Sequence, residues 1–167
     1  MARTPDTIST LRCVLNECRT LAVVGLSPQW HRPSFFAAKY MQTHGFRIVP
    51  VNPLVAREGG RILGERAWAS VREADAAIRA EGGRIDMVDC FRKSEDIPPL
   101  ADDAAAIGAK CLWLQLGVFN EDAARVAEDA GLLVIQNRCV KIEHARLFGG
   151  LGWAGVNTKV ISSKRPQ

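Results

Sequence analysis

The chain has no cysteine pair at CxxC spacing, and its five cysteines (Cys13, Cys18, Cys90, Cys111, Cys139) are an odd number. No zinc site or disulfide framework is implied, which suits a reducing compartment. Cys90 and Cys111 lie inside apolar runs and read as inert core thiols. No apolar run approaches the roughly 18 residues of a membrane span. The amino terminus, Met1-Ala2-Arg3-Thr4-Pro5-Asp6, leads into an amphipathic stretch and not a secretory h-region. The expectation is a cytoplasmic protein without membrane contact. Histidine is scarce: His31, His44 and His144 are the only three, and none has a visible triad partner. There is no helix-turn-helix appendage and no concentrated basic helix, so nucleic acid is not an expected partner. Internal repeats and low-complexity blocks are missing too.

What is there is ordinary globular chain. The 167 residues are 47% hydrophobic and 24% charged, enough for one domain with a sizeable core. A net charge of +4 mildly favours anionic ligands.

Apolar runs alternate with helical patterns. A helix is expected over 7–19, with Ile8, Leu11, Leu15 and Cys18 on one face. Strand 21–24 stops at Gly25; a helix over 34–44 follows, with Pro33 near its first turn and Gly45 past its end. Strand 46–51 is next, and a short third strand is possible around 61–63. Ser70 and Glu73 have capping-box spacing ahead of a helix with Val71, Ala74 and Ile78 inward, ended by Gly82-Gly83. Strand 85–91, a helix opened by Pro98-Pro99 and closed by Gly108, and strand 111–116 follow. Asn120 caps another helix, with Ala123, Val126, Ala127 and Ala130 as its buried stripe. Strand 132–135 and helix 141–148 complete the pattern. Strand–helix alternation of this kind makes βαβ units, whose strands are parallel and need cover on both faces. The expected fold is α/β: a single Rossmann-like, doubly wound parallel sheet in three α/β/α layers. Residues 1–18 form an amino-terminal helix packing on the domain, 19–148 the domain itself, and 149–167 a partly flexible extension; the segment 147–153, with Phe148, Leu151 and Trp153, either packs on the core or covers a dimer contact.

In such folds ligands bind outside the carboxyl ends of the strands. Gly25 follows the first buried strand, where a glycine lets backbone N–H groups approach an oxyanion. Ser27, Ser34 and Arg32 add hydroxyls and a positive charge, so the loop reads as a phosphate cradle. Gly-x-Gly-x-x-Gly is absent, and Asn52-Pro53 occupies the place where NAD-binding folds put an acid for the ribose. Arg92 and Lys93 end a strand; Arg92 could reach an anion, and Lys93 reads as surface. Arg138 and Lys141 flank the last strand end and serve either the ligand or the surface. Arg57 and Arg61 are candidates for an outer phosphate. Cys139 has two readings, a thiolate favoured by Arg138 and Lys141 or a buried structural cysteine. Trp30 either shields a base or is simply exposed.

Several stretches together resemble the stand-alone CoA-binding proteins related to the amino-terminal domain of the succinyl-CoA synthetase alpha subunit. They are Ala22-Val23-Val24-Gly25-Leu26-Ser27, Arg32-Pro33-Ser34, Val49-Pro50-Val51-Asn52-Pro53, Asp86-Met87-Val88-Asp89, Phe91-Arg92, Gln115-Leu116-Gly117 and the run from Arg138 to Leu147. The resemblance implies coenzyme A or an acyl-CoA as ligand. It carries contacts over to Gly25, Ser27, Pro28, Asn52, Pro53, Gln115, Leu116 and Gly117. With the residue-level reading, the candidate ligand-binding set also holds Arg32, Pro33, Ser34, Phe91, Arg92, Arg138 and Lys141. Ligase chemistry does not carry over, because no second, phosphohistidine-bearing domain follows in this sequence. The leading expectation is binding without catalysis, with no catalytic residue and no metal. Alternatives are an NAD(P)-dependent enzyme on the same fold, or a nucleotide-sensing regulator acting through a protein partner. A homo-oligomer is also open.

Overall fold

The computed structural model describes residues 3–149. All but Gly149 of the extension expected at 149–167 lies outside them, as do Leu151 and Trp153. The described elements are α1 (Ile8–Glu17), β1 (Thr20–Val24), α2 (Pro33–Thr43), β2 (Arg47–Val51), α3 (Pro53–Arg57), β3 (Arg61–Ile62), β4 (Glu65–Arg66), α4 (Val71–Ala80), β5 (Met87–Cys90), α5 (Ile97–Ala106), β6 (Cys111–Leu114), α6 (Glu121–Asp129), β7 (Leu133–Ile135) and α7 (Val140–Phe148).

Five of the strands form one parallel sheet in the order β2-β1-β5-β6-β7. Side chains alternate across it. Leu21, Val23, Ile48, Met87, Cys111, Trp113 and Ile135 face a cluster with Leu11, Val14 and Leu15 of α1, Ala38 and Met41 of α2 and Val140 of α7. Ala22, Val24, Val49, Val51, Val88, Cys90, Leu112, Leu114 and Val134 face the buried sides of α4, α5 and α6. Apolar residues are needed on both sides of each strand because helices cover both faces. The three-layer, Rossmann-like α/β architecture follows directly.

The helix boundaries have local causes. Thr7, Ser70 and Asn120 each accept a first-turn backbone N–H with the side chain. Pro33 opens α2, where its missing N–H is no loss. Both sheet edges are covered. Trp68 donates to the Pro50 carbonyl and accepts from the Asn52 N–H, both at 2.9 Å, along the outer side of β2. On the other edge, the Val134 N–H donates to Thr4 Oγ1 at 2.9 Å.

The short strand thought possible around 61–63 is present but lies outside the sheet: β3 and β4 form an antiparallel hairpin turned by Leu63 and Gly64, at φ +53° and +78°. The short helix α3 was not anticipated. On α1 the inward face takes Val14 where Ile8 was expected, and Ile8 is exposed. On α6 it takes Ala124, whereas Val126 and Ala130 point outward.

Candidate functional site

In the sheet order β2-β1-β5-β6-β7 the chain reverses direction between β1 and β5. The helix after β1, α2, packs on one face of the sheet, and the helix after β5, α5, packs on the other. The two loops diverge and leave a crevice above the carboxyl ends of the central strands. This is where open α/β sheets hold ligands.

Gly25 sets the crevice floor. It has φ +81°, and a Cβ there would collide with the Phe91 carbonyl oxygen and press on Arg92 Cδ at 3.1 Å. Only glycine lets the loops after β1 and β5 approach this closely. Its own N–H is not offered to a ligand, because it donates to the Val51 carbonyl at 3.0 Å. The Ser27 N–H donates to Ser34 Oγ at 3.0 Å, and the Gln29 N–H to Ser27 Oγ at 3.1 Å. Of the cradle expected in this loop, the N–H groups of Gly25, Ser27 and Gln29 are thus engaged within the protein, which leaves the hydroxyls and Arg32 to face a ligand. The two serine oxygens absorb amide donors, and each hydroxyl retains its proton to give to an oxyanion.

The main cleft, about 680 Å³, is lined by Gly25, Ser27, Arg32, Pro33, Ser34, Phe91, Arg92, Lys93, Glu95, Asp96, Gln115, Leu116 and Val118. Arg92 pairs with Asp96 at 3.1 Å. The guanidinium of Arg32, at the start of α2, makes no ion pair or side-chain hydrogen bond among the described residues, and neither does the ammonium of Lys93. An uncompensated arginine beside two hydroxyls is a standing invitation to a phosphate oxygen.

A second cleft of about 670 Å³ adjoins the first across Gly25, Ser27 and Arg92. Its walls mix apolar residues, Val24, Val51, Pro53, Leu54, Val71 and Leu100 among them, with the carboxylates Glu95, Asp96 and Asp103. Asn52 stands at its rim as the cap of α3. Asn52 Oδ1 accepts from the N–H groups of Leu54 and Val55, at 3.1 and 3.2 Å, while Nδ2 donates to the Leu26 carbonyl at 3.0 Å. An amide is required there, because a carboxylate has no proton to give to Leu26. The absence of the NAD-type acid thus has a structural cause.

Of the candidates, Gly25, Ser27, Arg32, Pro33, Ser34, Phe91, Arg92, Gln115 and Leu116 meet in the main cleft, and Asn52 and Pro53 in the adjoining one. Pro28, Gly117, Arg138 and Lys141 line neither. Arg138 pairs with Asp6 at 2.8 Å and with the fully buried Glu143 at 3.2 Å. Lys141 sits over the Phe36 and Tyr40 rings, at 5.2 and 5.8 Å. With Arg138 so engaged, burial dominates at Cys139: its thiol is pushed up, against the pull of the Ile142 and Lys141 N–H groups and the Lys141 charge. Of the two readings of Cys139, the structural cysteine fits this environment and the favoured thiolate does not. Gln115 borders the cleft, but its side chain works inward. Its Nε2 donates to Asp89 Oδ1 at 2.5 Å, and its Oε1 accepts from the Val140 N–H at 3.2 Å.

Asp89 entered the sequence reading only within the stretch Asp86-Met87-Val88-Asp89 and was given no role there. It is 1% exposed, and burial pushes its carboxyl up to about 7, against the hydrogen bond from Gln115. The signal was present: an acid at the centre of the apolar run Met87-Val88-Asp89-Cys90 must be buried with a partner. The histidines lie elsewhere. Tyr40 Oη contacts His144 Nδ1 at 3.0 Å, and Tyr40 stacks on His44. Burial, then the His44 and Arg19 charges, lower the His144 pKa. Among the described residues no group of three or more His, Cys, Asp or Glu is placed to hold a metal, and no helix is long and apolar enough to cross a membrane.

The sheet order, the two-sided helical cover and the crevice at the reversal point define a Rossmann-like α/β domain. Within that class the chain belongs to the CoA binding domain family, whose model matches residues 19–145. The Bacillus subtilis (strain 168) protein YneT is 36% identical over 132 residues, 79% of this chain and 90% of that protein. A hypothetical protein from Pyrococcus horikoshii OT3 is 32% identical with a TM-score of 0.76, over 89% of this chain and 99% of that one. A Thermus thermophilus protein, cell-free ID.343, is 29% identical with a TM-score of 0.75, over 85% and 99%.

Proposed function

We propose that the protein binds coenzyme A or an acyl-CoA across the two clefts at the carboxyl edge of its sheet and holds it without turnover. The observation that carries this reading is the pairing of surfaces around Gly25. On one side stand the unpaired Arg32 and two hydroxyl donors; on the other lies the adjoining cleft, whose walls include Val51 and Leu100. A ligand with a pyrophosphate between an adenosine and an amide-bearing arm matches that sequence of environments, and family membership supports the same ligand. Neither cleft is lined by a histidine or a cysteine. The reading therefore assigns these residues to binding and orientation and gives none of them a covalent step.

Isothermal titration with CoA, acetyl-CoA and NAD tests it. Saturable CoA binding, weakened about tenfold or more by Arg32→Ala through loss of a charge-assisted contact, is expected. Prolonged incubation with acetyl-CoA is expected to release no free thiol. Binding of NAD in preference to CoA would overturn the reading.

A further inference from the structure

The outer side of α2 and α7, which pack together over the sheet, takes no part in either cleft. Past its first turn α2 contributes no lining residue, and α7 contributes none. Phe36, Tyr40 and His44 follow at intervals of four along α2 and its cap; Lys141, His144 and Phe148 follow at three and four along α7. These spacings put each set on one helix face. The two rows meet. Lys141 Nζ lies over the Phe36 and Tyr40 rings. Tyr40 stacks on His44 with ring centres 4.0 Å apart, and His144 stacks on Phe148 at 5.2 Å. His44 and His144 meet edge to face at 5.3 Å. Phe36, His44 and Phe148 are exposed.

The charge on this face has one sign. Helix α2 holds no acid, and the one acid of α7, Glu143, is turned inward to Arg138 and Arg146. Lys39, three residues past Phe36, is exposed. Neither it nor Lys141 makes an ion pair among the described residues. The same holds for the Arg19 guanidinium, which lies over the Phe46 ring at 5.5 Å, and that ring in turn meets His144. Rings and cations without a carboxylate repel a basic segment and attract an acidic one. The residues that follow α7 in the sequence, 150–167, include Lys159, Lys164 and Arg165 and no acid, so charge opposes their docking here. Nucleic-acid bases need open ring faces to stack on, and each of these rings already has a neighbour against it. Ring edges and cations are left. We infer that the α2–α7 face docks an acidic segment of a partner protein. Its carboxylates pair with Lys39, Lys141 and Arg19, and apolar side chains between them cover Phe36 and Phe148. Docking here asks nothing of the clefts and stands whether or not they hold coenzyme A.

The test is fluorescence anisotropy of the full chain with labelled probes: a peptide of repeated Glu-Leu-Asp-Phe units, the same peptide with Ser in place of Leu and Phe, and a single-stranded oligothymidylate. The proteins are the wild type, a Lys39→Glu/Lys141→Glu double variant, Phe36→Ser and Arg32→Gln, each checked for folding by circular dichroism. The wild type is expected to bind the acidic apolar peptide saturably, and more weakly as salt is raised. The double variant is expected to lose about tenfold or more in affinity. Phe36→Ser is expected to lose several-fold, whereas Arg32→Gln, in the main cleft, binds as the wild type does. No saturable binding of that peptide would overturn the inference. So would undiminished binding in the double variant, equal affinity for the peptide carrying Ser, or loss of binding in Arg32→Gln. Tighter binding of the oligothymidylate, lost in the double variant, would overturn it in favour of a nucleic-acid surface.

Discussion

Gly25, Asn52 and Asp89 each show a side-chain choice dictated by one contact. At Gly25 the constraint is double: a left-handed φ and a carbonyl oxygen where the Cβ would be. Gly25→Ala is expected to cost about 2–4 kcal/mol, read by urea denaturation, because backbone must move to relieve it. At Asn52 the constraint is the donor to Leu26. Asn52→Asp is expected to cost about 1–3 kcal/mol, and Asn52→Ser less, since a hydroxyl still caps α3. Asp89 gives a pH signature. Its carboxyl titrates near 7 in the folded protein and near ~3.9 in the unfolded chain. The folded state therefore holds the extra proton between those values. The stability associated with that proton is present below about pH 4 and is lost as pH rises to about 7. Asp89→Asn keeps an acceptor for Gln115 and has no proton to lose. The stability of the variant relative to wild type is expected to rise between about pH 4 and 7, by a few kcal/mol in denaturation curves. A constant difference across that range would contradict the assignment.

At the scale of elements, α7 illustrates how a stretch can be distinctive in sequence and still not touch the cleft. The fully buried Glu143 lies between Arg138, at 3.2 Å, and Arg146, at 2.6 Å. Arg138 reaches on to Asp6 of the amino-terminal arm, and its carbonyl accepts from Trp113 Nε1 at 2.8 Å. Glu143→Ala is expected to destabilise the fold by about 3–5 kcal/mol, because two half-buried guanidiniums lose their counter-charge; thermal denaturation measures it. Long elements were legible because their apolar period and caps agree: Ser70 before Val71, Ala74 and Ile78 is an example. Short ones were not. Five residues of α3 carry too little periodicity to register, and Asn52-Pro53 drew attention as a binding motif when its first task is to start that helix. The hairpin was half visible because Leu63 at positive φ is a residue rarely found in such a turn. On α6, alanines at 123, 124, 127 and 130 fit two helical phases equally well, and only packing against α5 chooses between them.

At the scale of the molecule, the order of apolar runs was enough to give a parallel sheet with two covered faces, and with it the edge at which ligands sit. Which residues line that edge was legible where the motif is short and local, as in Arg32-Pro33-Ser34. It was not legible where a side chain turns inward, as at Gln115, or where an arginine is claimed by an acid distant in sequence, as Arg138 is by Asp6. The unpaired Arg32 of the cleft stands out only once the ion pairs of Arg92 and Arg138 are known.

The most direct test of the central claim is to titrate isotopically labelled protein with coenzyme A and follow backbone amide shifts. The account predicts saturable changes at Gly25, Ser27, Arg32, Ser34, Arg92 and Leu116, with Gly45, Gly108 and Gly131 unmoved. Absence of saturable shifts, or shifts concentrated around His44, His144 and the outer face of α7, would contradict it.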